Sequence, residues 1–392
     1  MTDVLILGGA RTPMTQYVGA LKDVSAVDLG AVASRGALQK TGVKPEWVDH
    51  VVLGNVLQSS ADAIYSARHV ALKVSVPIDV PALIVNRLCG SGLQAAVTGA
   101  QYLLTGEADV VLTGGIENMS QAPHVIRGLR AGLKLGQGAL EDSLLDGLRD
   151  TFCGMSMAET AEKCAGNYMV SREDQDRYAL RSQKCAADAW TQGRFADEVV
   201  PVEVKTRRGT TVVDRDDHMR PETTMEALAK LPGAISKEGT VTAGNASGIV
   251  DGAAAVVLAS PAGVTQRGLT PMARLTGWAT VGVDPSIMGM GPAPAIRMLL
   301  EKKKLTLNDI DLFEINEAFA AQYVAVEKDL GLDREKVNVN GGAIALGHPL
   351  GATGARLLLT LTMEMRRRGA KRGIAAACIG GGQGIAALVE AL

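Results

Sequence analysis

Aromatic residues are scarce in this sequence, at 3% of the total, so its core must be assembled from Ala, Val, Leu and Ile. That shortage, together with 45 glycines, favours an α/β enzyme over a β-sandwich or a coiled coil. Neither charge is in excess. The formal net charge of −2 gives no electrostatic reason to expect nucleic acid as a partner. No C-x-x-C pair occurs among Cys89, Cys153, Cys164, Cys185 and Cys378, which argues against a disulfide framework or a metal site and fits a reducing compartment. No uncharged run spans a bilayer comfortably; the longest, 373–389, is broken by five glycines and reads as buried strand and turn. The start, Met1-Thr2-Asp3-Val4-Leu5, has no basic leader, and the end, Val389-Glu390-Ala391-Leu392, is no peroxisomal tripeptide. These absences lead to the expectation of a soluble cytoplasmic enzyme with no membrane partner. Its 392 residues suggest two or three packed domains.

What is present is a repeat. Residues 43–55 lie over 305–317 without a gap, each placing an apolar strand before a polar or glycine turn. After Cys89, apolar residues Leu93, Ala96, Val97, Ala100, Leu103 and Leu104 fall at helical spacing. Gly106 caps that helix, and Val110-Val111-Leu112 reads as a buried strand ending in Gly114-Gly115. The second half repeats the order: a helix from about Thr353 to Arg368, Gly369 as cap, then Ile374-Ala375-Ala376-Ala377 ending in Cys378 and three glycines. Two similar α/β halves follow, a duplicated domain. The boundaries are 1–118 plus 250–270 for the first half and 271–392 for the second. Residues 119–249, richer in charge, read as an inserted loop domain covering a site or mediating assembly.

Four positions could carry chemistry. Cys89, before a mostly apolar helix, would meet unpaired N–H groups and a partial positive charge that stabilise a thiolate; otherwise it is a small buried hydrophobe. His348, between Gly347 and Pro349, precedes Gly351-Ala352-Thr353-Gly354, a helix start equivalent to the one after Cys89. Packing the halves about a pseudo-twofold axis would bring the two helix starts to one centre, the geometry of a Cys–His pair. Cys378 opens Cys378-Ile379-Gly380-Gly381-Gly382, which lacks the Lys-Ser/Thr of a phosphate loop and reads equally as a tight turn or a substrate approach. Asn316 could hold a water or an oxyanion, or simply form a turn. His50, His69, His124 and His218 have no partner at metal-ligand spacing. The basic run 366–372 suits a helix C-terminus.

Asn86-Arg87-Leu88-Cys89-Gly90-Ser91-Gly92, Asn316-Glu317-Ala318-Phe319, Gly347-His348-Pro349 and Cys378-Ile379-Gly380-Gly381-Gly382 resemble the four active-site motifs of the thiolases, in the family's order. Gly9-Ala10-Arg11-Thr12-Pro13 and Ala243-Gly244-Asn245-Ala246-Ser247-Gly248 are also similar, so the resemblance covers essentially the whole chain. It is nearest to the short-chain acetyl-CoA acetyltransferases. The resemblance implies the five-layered αβαβα thiolase fold with an inserted loop domain. It implies that Cys89 is acylated, that His348 activates it and that Asn316 holds a water in one oxyanion site. Cys378 would move the proton at the α-carbon, and backbone N–H groups of Cys89 and Gly380 would form a second oxyanion site. Ser247, Ala243, Arg220, Met157, Leu148, Ala318, Phe319 and Met288 match positions lining the coenzyme A and acyl sites. Coenzyme A would be substrate and product, with acetyl-CoA, acetoacetyl-CoA or another 3-oxoacyl-CoA as partners and no further cofactor. A homotetramer is implied by the glycine-spaced segment near 125–138.

The sequence departs from that pattern at Ser156, Ile235, Val250 and Met14-Thr15-Gln16, which leaves acyl-chain preference open. A decarboxylating 3-oxoacyl synthase characteristically lacks the second cysteine, so Cys378 argues against it. A non-catalytic acyl-CoA-binding relative would be expected to have lost Cys89 or His348, and both are present.

Overall fold

Strands buried on both faces need continuous aliphatic sequence rather than alternation, and this chain supplies it. The computed structural model describes residues 3–207 and 209–392; Met1 and Thr2 of the N-terminal reading lie outside it. The first half runs β1 (Leu5–Arg11), α1 (Ala26–Thr41), β2 (His50–Gly54), α2 (Ser66–Lys73), β3 (Ala82–Val85), α3 (Ser91–Thr105) and β4 (Val110–Glu117). Helices α4 (Met157–Asn167) and α5 (Arg172–Thr191) follow, then a hairpin of Val202–Thr206 with Gly209–Val213, before β5 (Val250–Ala259) returns to the sheet. The second half runs β6 (Ala273–Gly282), α6 (Pro292–Lys303), β7 (Leu312–Ile315), α7 (Ala320–Leu330), α8 (Leu350–Arg368), β8 (Arg372–Ile379) and β9 (Gln383–Ala391).

The strand order is β7-β8-β9-β6-β1-β5-β4-β2-β3. Antiparallel pairing of Leu5 with Arg274 and Ile6 with Ala273 joins the halves. Outward from that seam the two orders match: β1-β5-β4-β2 in one half, β6-β9-β8-β7 in the other. The gapless repeat has a structural counterpart. Short 3-10 turns at Pro45–Trp47 and Leu307–Asp309 each precede the paired strands β2 and β7. The halves diverge at the edge, where β3 has only a bridge from Val337 to Phe313 as its counterpart. Asn338 is the reason. Held at φ 47°, its side chain accepts from Ile315 N–H at 2.9 Å and donates to Ile315 O at 2.9 Å, taking over hydrogen bonds a neighbouring strand would make.

Three buried clusters separate five layers. One lies between α1 and the first sheet, built on Val27, Leu29, Val51, Leu112 and Val257. Another fills the space between the sheets around α3 and α8, with Leu93, Val97, Leu357, Leu358, Ile6 and Val389. The third lies outside the second sheet beneath α6 and α7 and also takes in Cys164 and Tyr178 of α4 and α5. The segment leaving the first half therefore packs on the second. Tyr178 stacks on Tyr323 at 4.0 Å, and Tyr178 and Ser182 donate to the buried carboxylate of Glu317 at 2.7 Å each.

The two central helices start against each other because glycine lets them. A Cβ on Gly92 would lie 2.3 Å from Ala355 N, and one on Gly354 would lie 2.3 Å from Leu93 N. Gly114 and Gly115 do not end their strand, as the sequence suggested; β4 runs on to Glu117. A Cβ on Gly115 would lie 1.9 Å from Gly351 O, so this glycine admits the start of α8 onto the sheet.

Candidate active site

Cys89 sits on a sharp turn from strand to helix. Leu88 holds φ 46°, a region costly for a branched side chain, and Asn86 Oδ1 steadies it by accepting from Leu88 N–H at 3.0 Å. Ser91 Oγ accepts from Arg87 N–H at 2.9 Å and donates to Leu88 O at 2.7 Å. Arg87 reaches across to Gln383 Oε1 at 2.9 Å, tying the turn to the second half. Cys89 is half-buried and packs against the cluster of Met119, Leu144 and Leu350, which Leu57, Leu148 and Ile249 also pack against. Burial pushes this thiol up to about 11, while hydrogen bonds from the Gly380 and Cys89 N–H groups pull it down. It therefore rests protonated, with two backbone donors already aimed at it, and needs a base.

His348 occupies the matching place before α8. Its N–H donates to Gly248 O at 2.9 Å, and Nδ1 lies 2.6 Å from Thr353 Oγ1. With Thr353 donating its hydroxyl proton to Pro349 O at 3.0 Å, the tautomer that completes the pair carries its proton on Nδ1. Nε2 is left with its lone pair, 3.3 Å from Asn316 Nδ2. Burial, and then the charge of Arg356, lower this imidazole to about 3, so it is neutral at physiological pH and able to accept a proton. Val250 lies under the turn: a Cβ on Gly347, at φ 93°, would come within 2.2 Å of its side chain.

Cys378 is the last residue but one of β8, fully buried, and packs with Met288, Ala318, Met157 and Phe319. Gly380–Gly382 form the hairpin turn into β9, with Gly381 and Gly382 at φ 77° and 79°. Burial drives the Cys378 thiol well above its ordinary range, the nearby sulfurs of Cys89 and Cys164 add to this, and a hydrogen bond from Asn316 opposes it. The Asn316 amide thus reaches both His348 and Cys378, and its Oδ1 has no hydrogen-bond partner. The glycine run is a tight turn, and its Gly380 N–H faces the Cys89 sulfur.

The remaining predicted residues fall into three neighbourhoods. Leu148 packs against the same cluster as Cys89, and Met157, Met288, Ala318 and Phe319 pack with Cys378. Arg220, Ala243 and Ser247 line a separate cleft of about 610 Å³ with Tyr17, Leu228, Leu231 and Ile249. That cleft neighbours Cys89 and His348 through Ile249, which packs against the same buried cluster as Cys89, and through Gly248, whose carbonyl accepts from the His348 N–H. Ile235 is exposed, and Ser156 caps α4 reciprocally with Glu159. A larger cavity, about 930 Å³, lies between the C-terminal ends of α1 and α8 and contains none of the predicted site residues.

Two residues near the site were not anticipated. His218 lines the cleft and packs so closely on Gly248 that a Cβ there would lie 2.0 Å from its ring. Its position two residues before Arg220 was the available signal. Glu117, fully buried at the end of β4, gave none. Among the described residues no group of three or more His, Cys, Asp or Glu could hold a metal, and no helix is long and apolar enough to cross a membrane.

A cysteine, a histidine and a second cysteine thus lie at the meeting point of two α/β halves. The chain matches the thiolase N-terminal domain over residues 4–262 and the thiolase C-terminal domain over 269–391. The mitochondrial 3-ketoacyl-CoA thiolase of Bos taurus is 54% identical over 99% of this chain and 98% of its own length. The acetyl-CoA acetyltransferase of Rhizobium meliloti (strain 1021) is 50% identical over 99% of each. The crystal structure of human mitochondrial 3-ketoacyl-CoA thiolase in complex with CoA superposes with a TM-score of 0.97 at 52% identity, covering 100% of this chain and 98% of that one. This chain belongs to the thiolase family. It is an acyltransferase, a thiolase-type acyl-CoA acetyltransferase. The cytoplasmic expectation is overturned: relatives 51–54% identical over 99% of the chain are named mitochondrial. The expectation rested on the cysteine pattern, the want of a spanning run and the terminal residues, and a reducing interior is not unique to the cytoplasm.

Proposed function

We propose that this enzyme cleaves 3-oxoacyl-CoA with coenzyme A, and runs the reverse condensation of two acetyl-CoA to acetoacetyl-CoA, by a ping-pong route through acyl-Cys89. The observation that carries this is the placing of Cys89 and His348 on paired helix starts, with Asn316 linking His348 to Cys378. In thiolysis His348 Nε2 takes the Cys89 proton, and the thiolate attacks the 3-oxo carbon. The N–H groups of Cys89 and Gly380 stabilise the resulting oxyanion. The C2–C3 bond breaks, the acetyl-CoA enolate takes the Cys378 proton, and its oxygen is held by His348 and, through a water, by Asn316. Coenzyme A then gives its thiol proton to Cys378, attacks acyl-Cys89 and releases the shortened acyl-CoA, while Cys89 recovers its proton from His348. A buried, protonated Cys378 is the form that begins this direction.

Coenzyme A is substrate and product, and the chemistry calls on no other cofactor. Its pantetheine arm would lie along Ser247, Ala243 and Arg220, with the acyl chain against Leu148, Met157, Met288, Ala318 and Phe319. We assign residues 1–118 plus 250–270 and 271–392 to the two halves and 119–249 to the covering domain. A homotetramer formed through 125–138 is part of the same reading, supported by the exposed Leu129, Leu133 and Leu135. Intact-mass spectrometry after mixing with acetyl-CoA should show a gain of about 42 Da, one acetyl group replacing a hydrogen on Cys89. Absence of an adduct with every acyl-CoA tried would sink the covalent route. Steady-state rates against a series of 3-oxoacyl-CoA lengths would set the chain preference.

A further inference from the structure

Glu117 is a buried carboxylate for which acyl transfer as described has no use. It stands at the end of β4, fully inaccessible, and every partner it has is a donor. Asn55 Nδ2 and Leu57 N–H donate to Oε1 at 2.9 and 3.0 Å. Val56 N–H and Gly351 N–H donate to Oε2 at 3.2 and 2.8 Å. Three of these donors belong to the loop after β2 in the first half. The fourth lies in the first turn of α8, three residues after His348, in the second half. Leu57 and Cys89 pack against the same buried cluster of Met119, Leu144 and Leu350. Gly351 can hold this place only as glycine, because a Cβ would lie 2.6 Å from Ile116 O.

We propose that Glu117 is a positioning residue for acyl transfer: its carboxylate pins the start of α8, and with it His348, to the half of the molecule that carries Cys89. The case rests on the acyl-Cys89 reading above. A helix N-terminus favours a negative group, and here that group comes from the opposite half, so the contact fixes one half against the other. Four donors require a group that only accepts. Glutamine, whichever way its amide turns, would set an N–H against two of them and lose either the Asn55 and Leu57 pair or the Val56 and Gly351 pair. Burial pushes the Glu117 carboxyl up to about 7, the N–H groups of Leu57, Gly351 and Val56 hold it down, and Asp251 on β5 adds to the rise; in its charged form Glu117 in turn helps to keep the Cys89 thiol protonated.

The test compares Glu117→Gln and Asn55→Ala with the wild type in the full-length enzyme. One readout is kcat and KM for acetoacetyl-CoA thiolysis. The other is the pH midpoint of Cys89 alkylation by iodoacetamide, followed by peptide mass, which needs no acyl substrate. Glu117→Gln should lower kcat at least about 30-fold with KM changed less than about threefold, and should lower the alkylation midpoint because a negative charge has gone. Asn55→Ala keeps the charge, so its kcat should fall about three- to tenfold with the midpoint unmoved. A folded Glu117→Gln enzyme with kcat within threefold of wild type, or with an unmoved midpoint, overturns the proposal. Should that variant fail to fold, wild-type kcat in Asn55→Ala overturns it. An inactive wild type would instead overturn the acyl-transfer reading, and alkylation would still report on Glu117.

Discussion

The two halves share a strand order and differ in what they set on it. Before α3 the chain places Cys89 on a turn strained at Leu88; before α8 it places His348 on a turn relaxed by Gly347. Between β4 and β5 the first half inserts more than a hundred residues, where the second half closes β8 to β9 with Gly380–Gly382. The long insertion brings the cleft of Arg220, Ala243 and Ser247. The short hairpin brings Cys378 and the Gly380 N–H. Duplication supplies a centre with two facing helix starts, and divergence gives each start a different reactive group. In the proposed mechanism one half supplies Cys89 to carry the acyl group, and the other supplies His348 and Cys378 to move protons.

The comparison breaks most sharply at the nucleophile. Cys89→Ala should lose roughly 10⁴-fold or more in thiolysis and form no adduct, read by steady-state rates and intact mass. His348→Asn should lose about 10³-fold in kcat, since it removes the base and keeps a side chain of similar polarity. Cys378→Ala should separate the two tasks: acylation by acetyl-CoA persists, while condensation falls about 10²- to 10⁴-fold. Unchanged condensation would place the base elsewhere.

Stability offers a symmetric test. Gly92→Ala and Gly354→Ala should each cost about 3 kcal/mol in denaturant unfolding, because each adds a Cβ 2.3 Å from backbone of the facing helix. A large effect at one site alone would mean that the halves do not share the contact equally. A further test concerns acid. His348 is held at about 3 against an ordinary 6.5, so between these values the unfolded chain binds a proton that the folded one refuses. Its contribution is present above pH 6.5 and is lost as pH falls towards 3, by up to about 1.4 kcal/mol per pH unit. His348→Asn should lose stability less steeply over that window.

Much of this was legible because repetition is a pattern in one dimension. Residues 43–55 and 305–317 carry the same turn and strand, and the apolar spacing after Cys89 and after Gly351 marks both central helices. That was enough to set Cys89 opposite His348. Contacts made across the halves were less legible. Gly114-Gly115 reads as the end of a strand until α8 is packed on it. The missing edge strand of the second half depends on one side chain, Asn338, bonding back onto Ile315. Glu117 is a carboxylate after seven apolar or small residues, and nothing local shows that all its partners are donors. His218 was set aside for want of metal-ligand spacing and instead lines the cleft.

The pairing of Cys89 with His348 is most directly tested by the single-turnover rate of acyl-enzyme formation. Wild type and His348→Asn would be mixed with acetyl-CoA, quenched at intervals and weighed intact. The paired helix starts predict an adduct on Cys89 that forms at least about 100-fold more slowly in the variant. Equal rates would contradict the account.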